Sequence, residues 1–307
     1  ICFMKNTLII LFFVPLLVCG QQSRGYDVRP LDVPIGNLNK SNTVLISDIP
    51  TYIWHRGCGP TALGMIIGYY DLHGYYDLFS DSTIVQTNNI DMSIASDDHY
   101  NDYSLPLDYY PNLLQDNSEL GAPHQHNSIA DFMKTSSSVC GNYWGWSWSS
   151  DIGTAFEDYV HFRNPSYITN TEFEYFSNNS WNEYKIEIDN NRPVMILVDT
   201  DGDNLTDHFV VGIGYNDFSQ EFVCYDTWDI NIHGYAWNEM ANGTNYGIYG
   251  FTKFSIDNNF TGLDNVVEKE GAYKILDILG RESNEKKNNL LFYIYDDGTV
   301  EKRIVIE

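Results

Sequence analysis

The chain has 307 residues, 43% apolar and 15% aromatic, and its 42 Asp and Glu outweigh 17 Lys and Arg to give a net charge of −25. That is the composition of a folded globular protein, which excludes disorder and collagen-like repeats. A surface this acidic repels phosphate backbones and anionic lipid, so nucleic acid is not an expected partner.

Residues 1–20 read as a signal peptide. Met4-Lys5-Asn6 gives a short basic start, and the apolar run from Leu8 to Val18 is too short to span a bilayer but right for export. Val18-Cys19-Gly20 places small residues for cleavage before Gln21, and Ile1-Cys2-Phe3 read as lying upstream of the initiating Met. Leu16-Leu17-Val18-Cys19 also partly resembles a lipoprotein box, with lipidation at Cys19 as the alternative to soluble cleavage. No other run reaches the 18 or so apolar residues of a membrane span. Export through the periplasm, to the medium or the outer cell surface, is the expectation. Residues 21–45 hold Gly, Pro, Asn and Ser without apolar periodicity and read as an irregular lead-in.

The sharpest local signal follows. Tyr52-Ile53-Trp54-His55-Arg56 leads into Gly57-Cys58-Gly59-Pro60-Thr61-Ala62, with Pro60 in the favoured first turn of a helix. Leu63, Ile66, Ile67 and Tyr70 continue at helical spacing, which predicts a helix over about 59–71. Cys58 thus stands at a helix N-terminus, where unpaired amides and the macrodipole favour the reactive thiolate. The flanking glycines expose the thiol, and the pattern points to a nucleophile rather than a structural cysteine.

The middle, roughly 75–190, is rich in Tyr, Asp, Ser and Asn and carries no chemical motif. Helices are predicted at Ser128–Thr135 and at Asp151–Phe162, the second capped by Asp151. The stripe Tyr143-Trp144-Gly145-Trp146-Ser147-Trp148 reads as packing more readily than as a sugar or peptide platform. His99, His124 and His126 lack a third partner at ligand spacing, so no metal centre is expected from them.

Three strands come next: Pro193–Val198, then Asp207-His208-Phe209-Val210-Val211-Gly212-Ile213-Gly214-Tyr215, then Glu221-Phe222-Val223-Cys224-Tyr225-Asp226. Only His208 among the eight histidines begins a buried strand, a rigid platform for a base, and Asp226 closes the next strand beside Trp228. Between the first two, Asp199, Asp201 and Asp203 alternate as in a calcium loop. The Glu such a loop needs at its twelfth position is missing, and Val210 stands there. A polar hairpin explains these carboxylates equally well. After signal cleavage three cysteines remain, and an odd count suggests a Cys140–Cys224 disulfide with Cys58 left as the thiol, although Cys224 could equally be core.

Residues 264–307 carry 7 of the 17 basic residues, whereas 21–263 hold 9 basic against 32 acidic, which marks the tail as a separate β module. Strands are predicted at 272–279, 290–295 and 300–306, the last two joined by an Asp297-Gly298 turn.

Two resemblances arise from these segments. Gly57-Cys58-Gly59-Pro60-Thr61-Ala62, Asp207-His208-Phe209-Val210-Val211-Gly212-Ile213-Gly214-Tyr215 and Asp226-Thr227-Trp228 together resemble the papain-like cysteine peptidases. Within these they look most like the C-thirty-nine-like branch, related to the double-glycine leader peptidases. Order and spacing agree, with Cys58 150 residues before His208 and Asp226 18 after it. The resemblance implies an α+β fold, in which a helix bearing Cys58 packs on an antiparallel sheet bearing His208 and Asp226, over residues 46–260. It also implies that Cys58 attacks an acyl carbon, His208 shuttles the proton, Asp226 orients the imidazole and Trp228 shields that contact. No cofactor is required, and the substrate is a peptide or protein; acyl transfer or hydrolysis of another amide would use the same residues. The family's usual oxyanion Gln, six residues before the Cys, is replaced by Tyr52, so Tyr52 or His55 would have to assist the Cys58 amide. A catalytically weak or silent binding module is the alternative. Separately, Asp277-Ile278-Leu279-Gly280-Arg281-Glu282 with Leu291–Arg303 resembles the C-terminal sorting tail of type IX secretion in Bacteroidetes, without its usual Asn-Pro entry. That resemblance implies the type IX machinery as a partner.

Overall fold

In the computed structural model, residues 27–38, 41–99, 125–136, 145–258, 273–277, 280–283, 290–295 and 300–304 are described. The chain divides into two compact units after Asn259.

At the centre of the first unit lies α1 (Cys58–Leu72), buried continuously from Cys58 to Tyr70. A helix enclosed on every side must meet its neighbours closely, and its glycines permit this: a Cβ on Gly64 would meet Ile94 at 2.9 Å and one on Gly68 would meet the Tyr52 hydroxyl at 2.8 Å. Among the described residues four further helices accompany it: α2 (Asn88–Ile94), α3 (Ile129–Phe132), α4 (Ser149–Arg163), as long as α1, and α5 (Ser180–Asp189). The helix predicted from Asp151 starts earlier, with Trp148 as its N-cap. Asp151 lies in the first turn, where its carboxylate meets Lys134 at 2.8 Å instead of capping. Ser128 does precede a helix, but only one turn forms.

The α1 helix packs against a seven-stranded antiparallel sheet ordered β2-β7-β3-β4-β5-β6, with β1 also pairing to β4. The strands are β1 (Thr43–Leu45), β2 (Tyr167–Tyr175), β3 (Val194–Asp199), β4 (His208–Asn216), β5 (Glu221–Tyr225), β6 (His233–Ala236) and β7 (Gly247–Asn258). Both β3 and the Phe209–Val211 stretch of β4 are fully buried, as expected of central strands read as unbroken apolar runs. Val198 pairs with His208, so the strand register sets the histidine at the sheet's end. The lead-in is not loose. Residues 33–37 run along β6, with the Gly36 carbonyl at 3.3 Å from His233 Nδ1 and the Tyr235 hydroxyl donating to the Pro34 carbonyl at 3.4 Å. This covers a sheet edge that would otherwise be an open template for pairing.

The second unit contains β8 (Tyr273–Asp277), β9 (Leu290–Tyr295) and β10 (Val300–Ile304), an antiparallel sheet in the order β10-β9-β8. Leu291 and Tyr293 form its small core. Among the described residues no helix is long and apolar enough to cross a membrane.

Candidate active site

Gly57 caps α1 with φ 147°, a conformation open to glycine and closed to other residues, and it follows Arg56 at φ 55°. This sharp entry puts Cys58 on the first helical position. The Thr61 hydroxyl ties the entry down, donating to the Gly57 carbonyl at 2.7 Å and accepting from the His55 amide at 2.9 Å. Segment 145–147 crowds the same corner. A Cβ on Gly57 would lie 2.9 Å from the Gly145 carbonyl, and one on Gly59 would lie 2.7 Å from Ser147 Oγ. Both glycines around Cys58 are therefore demanded by close packing as well as by the turn, and the thiol they were expected to expose is buried.

His208 begins β4 with its imidazole fully buried. Its Nε2 lies 2.6 Å from the main-chain carbonyl of Asp226, which can only accept, so Nε2 carries the proton and Nδ1 keeps its lone pair. Nδ1 is buried and has no hydrogen-bond partner. The Trp228 ring stacks on the imidazole at 3.7 Å between centroids and 11° between planes. Burial pushes the His208 pKa down to about 3, with the Arg29 charge adding to this and the Asp226 carbonyl opposing it. At neutral pH the ring is thus an uncharged base.

The Asp226-Thr227-Trp228 turn makes this arrangement. Thr227, β-branched and buried, sits at φ 66°, a costly conformation of the kind found where a loop must aim a functional group. The Trp228 amide donates to Asp226 Oδ1 at 3.1 Å, closing the turn. The Trp54 amide donates to the Thr227 carbonyl at 2.6 Å, clamping the segment that leads into Cys58 onto the turn that holds His208.

Three expectations for the site need correction. The Asp226 carboxylate is not the partner of the imidazole; the main-chain carbonyl is. Oδ2 of that carboxylate receives Arg29 at 2.5 Å and lies 3.6 Å from His233 Nε2, because the αL bend at Thr227 turns the carbonyl, not the side chain, toward His208. Tyr52 is no oxyanion donor. Its hydroxyl donates to the Thr83 carbonyl at 2.7 Å and sits beside Gly68, ten residues along α1 from Cys58, or about 15 Å at 1.5 Å per residue. The segment runs antiparallel to the helix and carries the phenol away. His55 is also turned aside, with Nε2 at 3.2 Å from the Ala95 carbonyl and Nδ1 at 3.8 Å from Asp91. The first amides of α1 have no acceptor within the helix.

Cys224 is a thiol buried in β5, not half of a bridge, and Cys140 lies outside the described residues. Asp199, Asp201 and Asp207 bring carboxylates close enough to hold a cation, whereas Asp203 is not in that group. Both Asp199 oxygens already accept backbone amides, from Gly202 and Asn204 at 2.7 Å each, as in a polar hairpin. Trp146 and Trp148 are buried and stacked at 6.1 Å, so they pack; Tyr143 and Trp144 lie outside the described residues. His99 faces Asp131 at 2.7 Å in the core and His126 packs edge-on against Phe132, while His124 lies outside the described residues. Sequence reasoning missed Arg29 and Thr227. The signal for Arg29 was its rarity, one of only nine basic residues over 21–263.

A buried neutral histidine on a sheet end, stacked under tryptophan beside a helix that opens on a glycine-flanked cysteine, defines a papain-like α+β fold. The profile of the Peptidase_C39 like family matches residues 46–254, and the chain belongs to this family. Among solved structures it is similar to a C39-like peptidase from Bacillus anthracis, at 14% identity over 69% of this chain and 96% of that one, with a TM-score of 0.35. It is also similar to xylellain, a cysteine protease from Xylella fastidiosa, at 13% identity over 77% and 97%, with a TM-score of 0.34. No curated protein matches the sequence.

Proposed function

We propose that the protein is an exported cysteine peptidase that hydrolyses peptide bonds through a Cys58 thioester. One observation carries this reading: the His208 ring is locked as the Nε2–H tautomer, leaving the Nδ1 lone pair as a base. Nδ1 takes the Cys58 thiol proton as sulfur attacks the scissile carbonyl carbon. The tetrahedral oxyanion is met by the amides that open α1. Collapse breaks the C–N bond, and the leaving amine takes the proton from Nδ1. Water then gives a proton to Nδ1 and its hydroxyl to the thioester, releasing the carboxylate product and restoring the thiol. The reaction needs no cofactor. An amine in place of water would make the same site an acyltransferase, and a cell-wall amide in place of a peptide would make it an amidase.

A second reading, a catalytically silent binding module, is favoured by a specific observation: neither Tyr52 nor His55 replaces the family's oxyanion glutamine. Incubation with a peptide mixture, with cleavage mapped by mass spectrometry, separates the two. New termini that vanish in Cys58→Ala support the peptidase; cleavage that persists in that variant overturns it.

Export is proposed from residues 1–20, and delivery by type IX secretion from residues 264–307. The three-stranded sheet β8–β10 is consistent with a discrete sorting module. Deletion of 264–307 should trap the protein in the periplasm of a type IX host, and unimpaired appearance in the medium would refute the delivery route.

A further inference from the structure

Arg29 belongs to the lead-in, upstream of the residues that match the family. Its guanidinium is largely buried, 13% exposed, and its contacts converge on the turn that orients His208. Nη2 meets Asp226 Oδ2 at 2.5 Å and Asp229 Oδ2 at 3.2 Å, and lies 3.5 Å from His233 Nε2. Nη1 donates to the Tyr246 hydroxyl at 3.0 Å and the Tyr235 hydroxyl at 3.4 Å. The same guanidinium carbon stands 5.1 Å from the centroid of the Trp228 ring, whose stacking partner is His208. Asp226, Asp229 and His233 would otherwise form a cluster able to ligate a cation, and the guanidinium is the cation that fills it.

The physical problem solved here is specific. Asp226 is buried at 0% exposure, and a buried carboxylate with no counter-charge would protonate or turn outward. Either change would release the turn at Thr227, whose left-handed backbone persists only when its surroundings over-determine it. A planar fork can hold two carboxylates and two phenols while lying beside an indole; a lysine ammonium cannot reach all of them.

We propose that Arg29 is a positioning residue of the catalytic site, pinning Trp228 and the Asp226–Thr227 turn so that His208 keeps its Nε2–H tautomer and the Nδ1 lone pair. The inference rests on the peptidase reading for its purpose, but its test does not depend on turnover. The lead-in is then part of the active site, and the peptidase unit starts before the region that the family shares.

The test is the rate of Cys58 alkylation by iodoacetamide in the full-length chain, read by peptide mass spectrometry, with circular dichroism to check folding. Arg29→Met, folded, should react roughly 10- to 100-fold more slowly at pH 7, the scale of a misplaced catalytic group. Millimolar guanidinium should restore part of the rate of Arg29→Ala, where the guanidinium site is left open, which loss of the fold would not allow. Arg29→Lys keeps one charge and should fall between the two. A folded Arg29→Met that reacts at the wild-type rate overturns the proposal. So does an unfolded Arg29→Met accompanied by an Arg29→Lys that reacts like wild type. If the wild type cleaves no peptide while the alkylation series behaves as expected, the peptidase reading fails and the positioning role stands.

Discussion

His208 donates its Nε2 proton to the main-chain carbonyl of Asp226, at 2.6 Å, while the carboxylate of the same residue is held by Arg29. Backbone, rather than side chain, fixes the tautomer of the base. Two consequences follow for any variant at position 226. The orienting bond survives a change of side chain, and the neutral ring depends on burial more than on a neighbouring charge.

Asp226→Asn should therefore be mild in catalysis. A single amide oxygen can still accept from Arg29, at the cost of the acceptor for the Trp228 amide, and the carbonyl still receives His208. Turnover should fall by less than about tenfold, against the roughly 10⁴-fold loss seen when a carboxylate directly orients a catalytic histidine. Steady-state kcat on a cleaved peptide decides between them.

Tyr52→Phe should leave kcat/KM unchanged and lower stability by about 1 kcal/mol, because the buried Thr83 carbonyl loses its donor. A genuine oxyanion donor would instead cost about 10²–10³ in rate. Urea unfolding and the kinetic assay together read both quantities.

His208 gives stability a pH dependence whose sign is fixed by its depressed pKa. Between the ordinary value of 6.5 and the folded value of about 3, the unfolded chain binds the proton and the folded chain does not. Stability from this group is complete above 6.5 and is lost as pH falls through that window, at up to about 1.4 kcal/mol per pH unit. The difference between wild type and His208→Gln, followed by denaturant unfolding from pH 7 to 4, should show this slope. A flat difference would contradict it.

Trp228→Ala should admit water to the imidazole face and raise the His208 pKa toward 6.5. In the wild type the ring should stay uncharged from pH 7 to about 4. In the variant the ring should charge near pH 6.5, as an exposed histidine does. Nitrogen NMR of His208 reports the same titration without a substrate.

Gly57→Ala should destabilise the fold by about 1–3 kcal/mol, because φ 147° is closed to alanine and the added methyl meets the Gly145 carbonyl. Thermal unfolding measures the loss. An unchanged melting temperature would mean that the entry to α1 is looser than its geometry indicates.

Much of the site could be read from the sequence because it rests on local rules. Gly-Cys-Gly-Pro fixes a helix start through backbone freedom and a preset φ, and α1 begins at Cys58 accordingly. Unbroken apolar runs specify the central strands, and β3, β4 and β5 lie within a residue or two of where those runs place them. The terminal position of His208 on its strand follows from the same pattern. The short helices α2 and α5 and the strands β2 and β6 were not among the elements those local signals marked.

Direction in space was decided only by the tertiary structure. Linear spacing identifies Asp226 as the residue that meets His208, but the αL bend at Thr227 determines that its carbonyl, not its carboxylate, does so. Position 52 matches the expected donor by count, yet the antiparallel run of that segment along α1 carries the phenol to Thr83. Arg29 reaches the site from 197 residues away in sequence. Periodicity and capping act over a few residues, so the sequence by itself determined the helix opening at Cys58, the buried strands and the position of His208. Where a side chain points, and which distant charge completes a buried site, follow from contacts that exist only once the sheet, the helix and the lead-in are packed together.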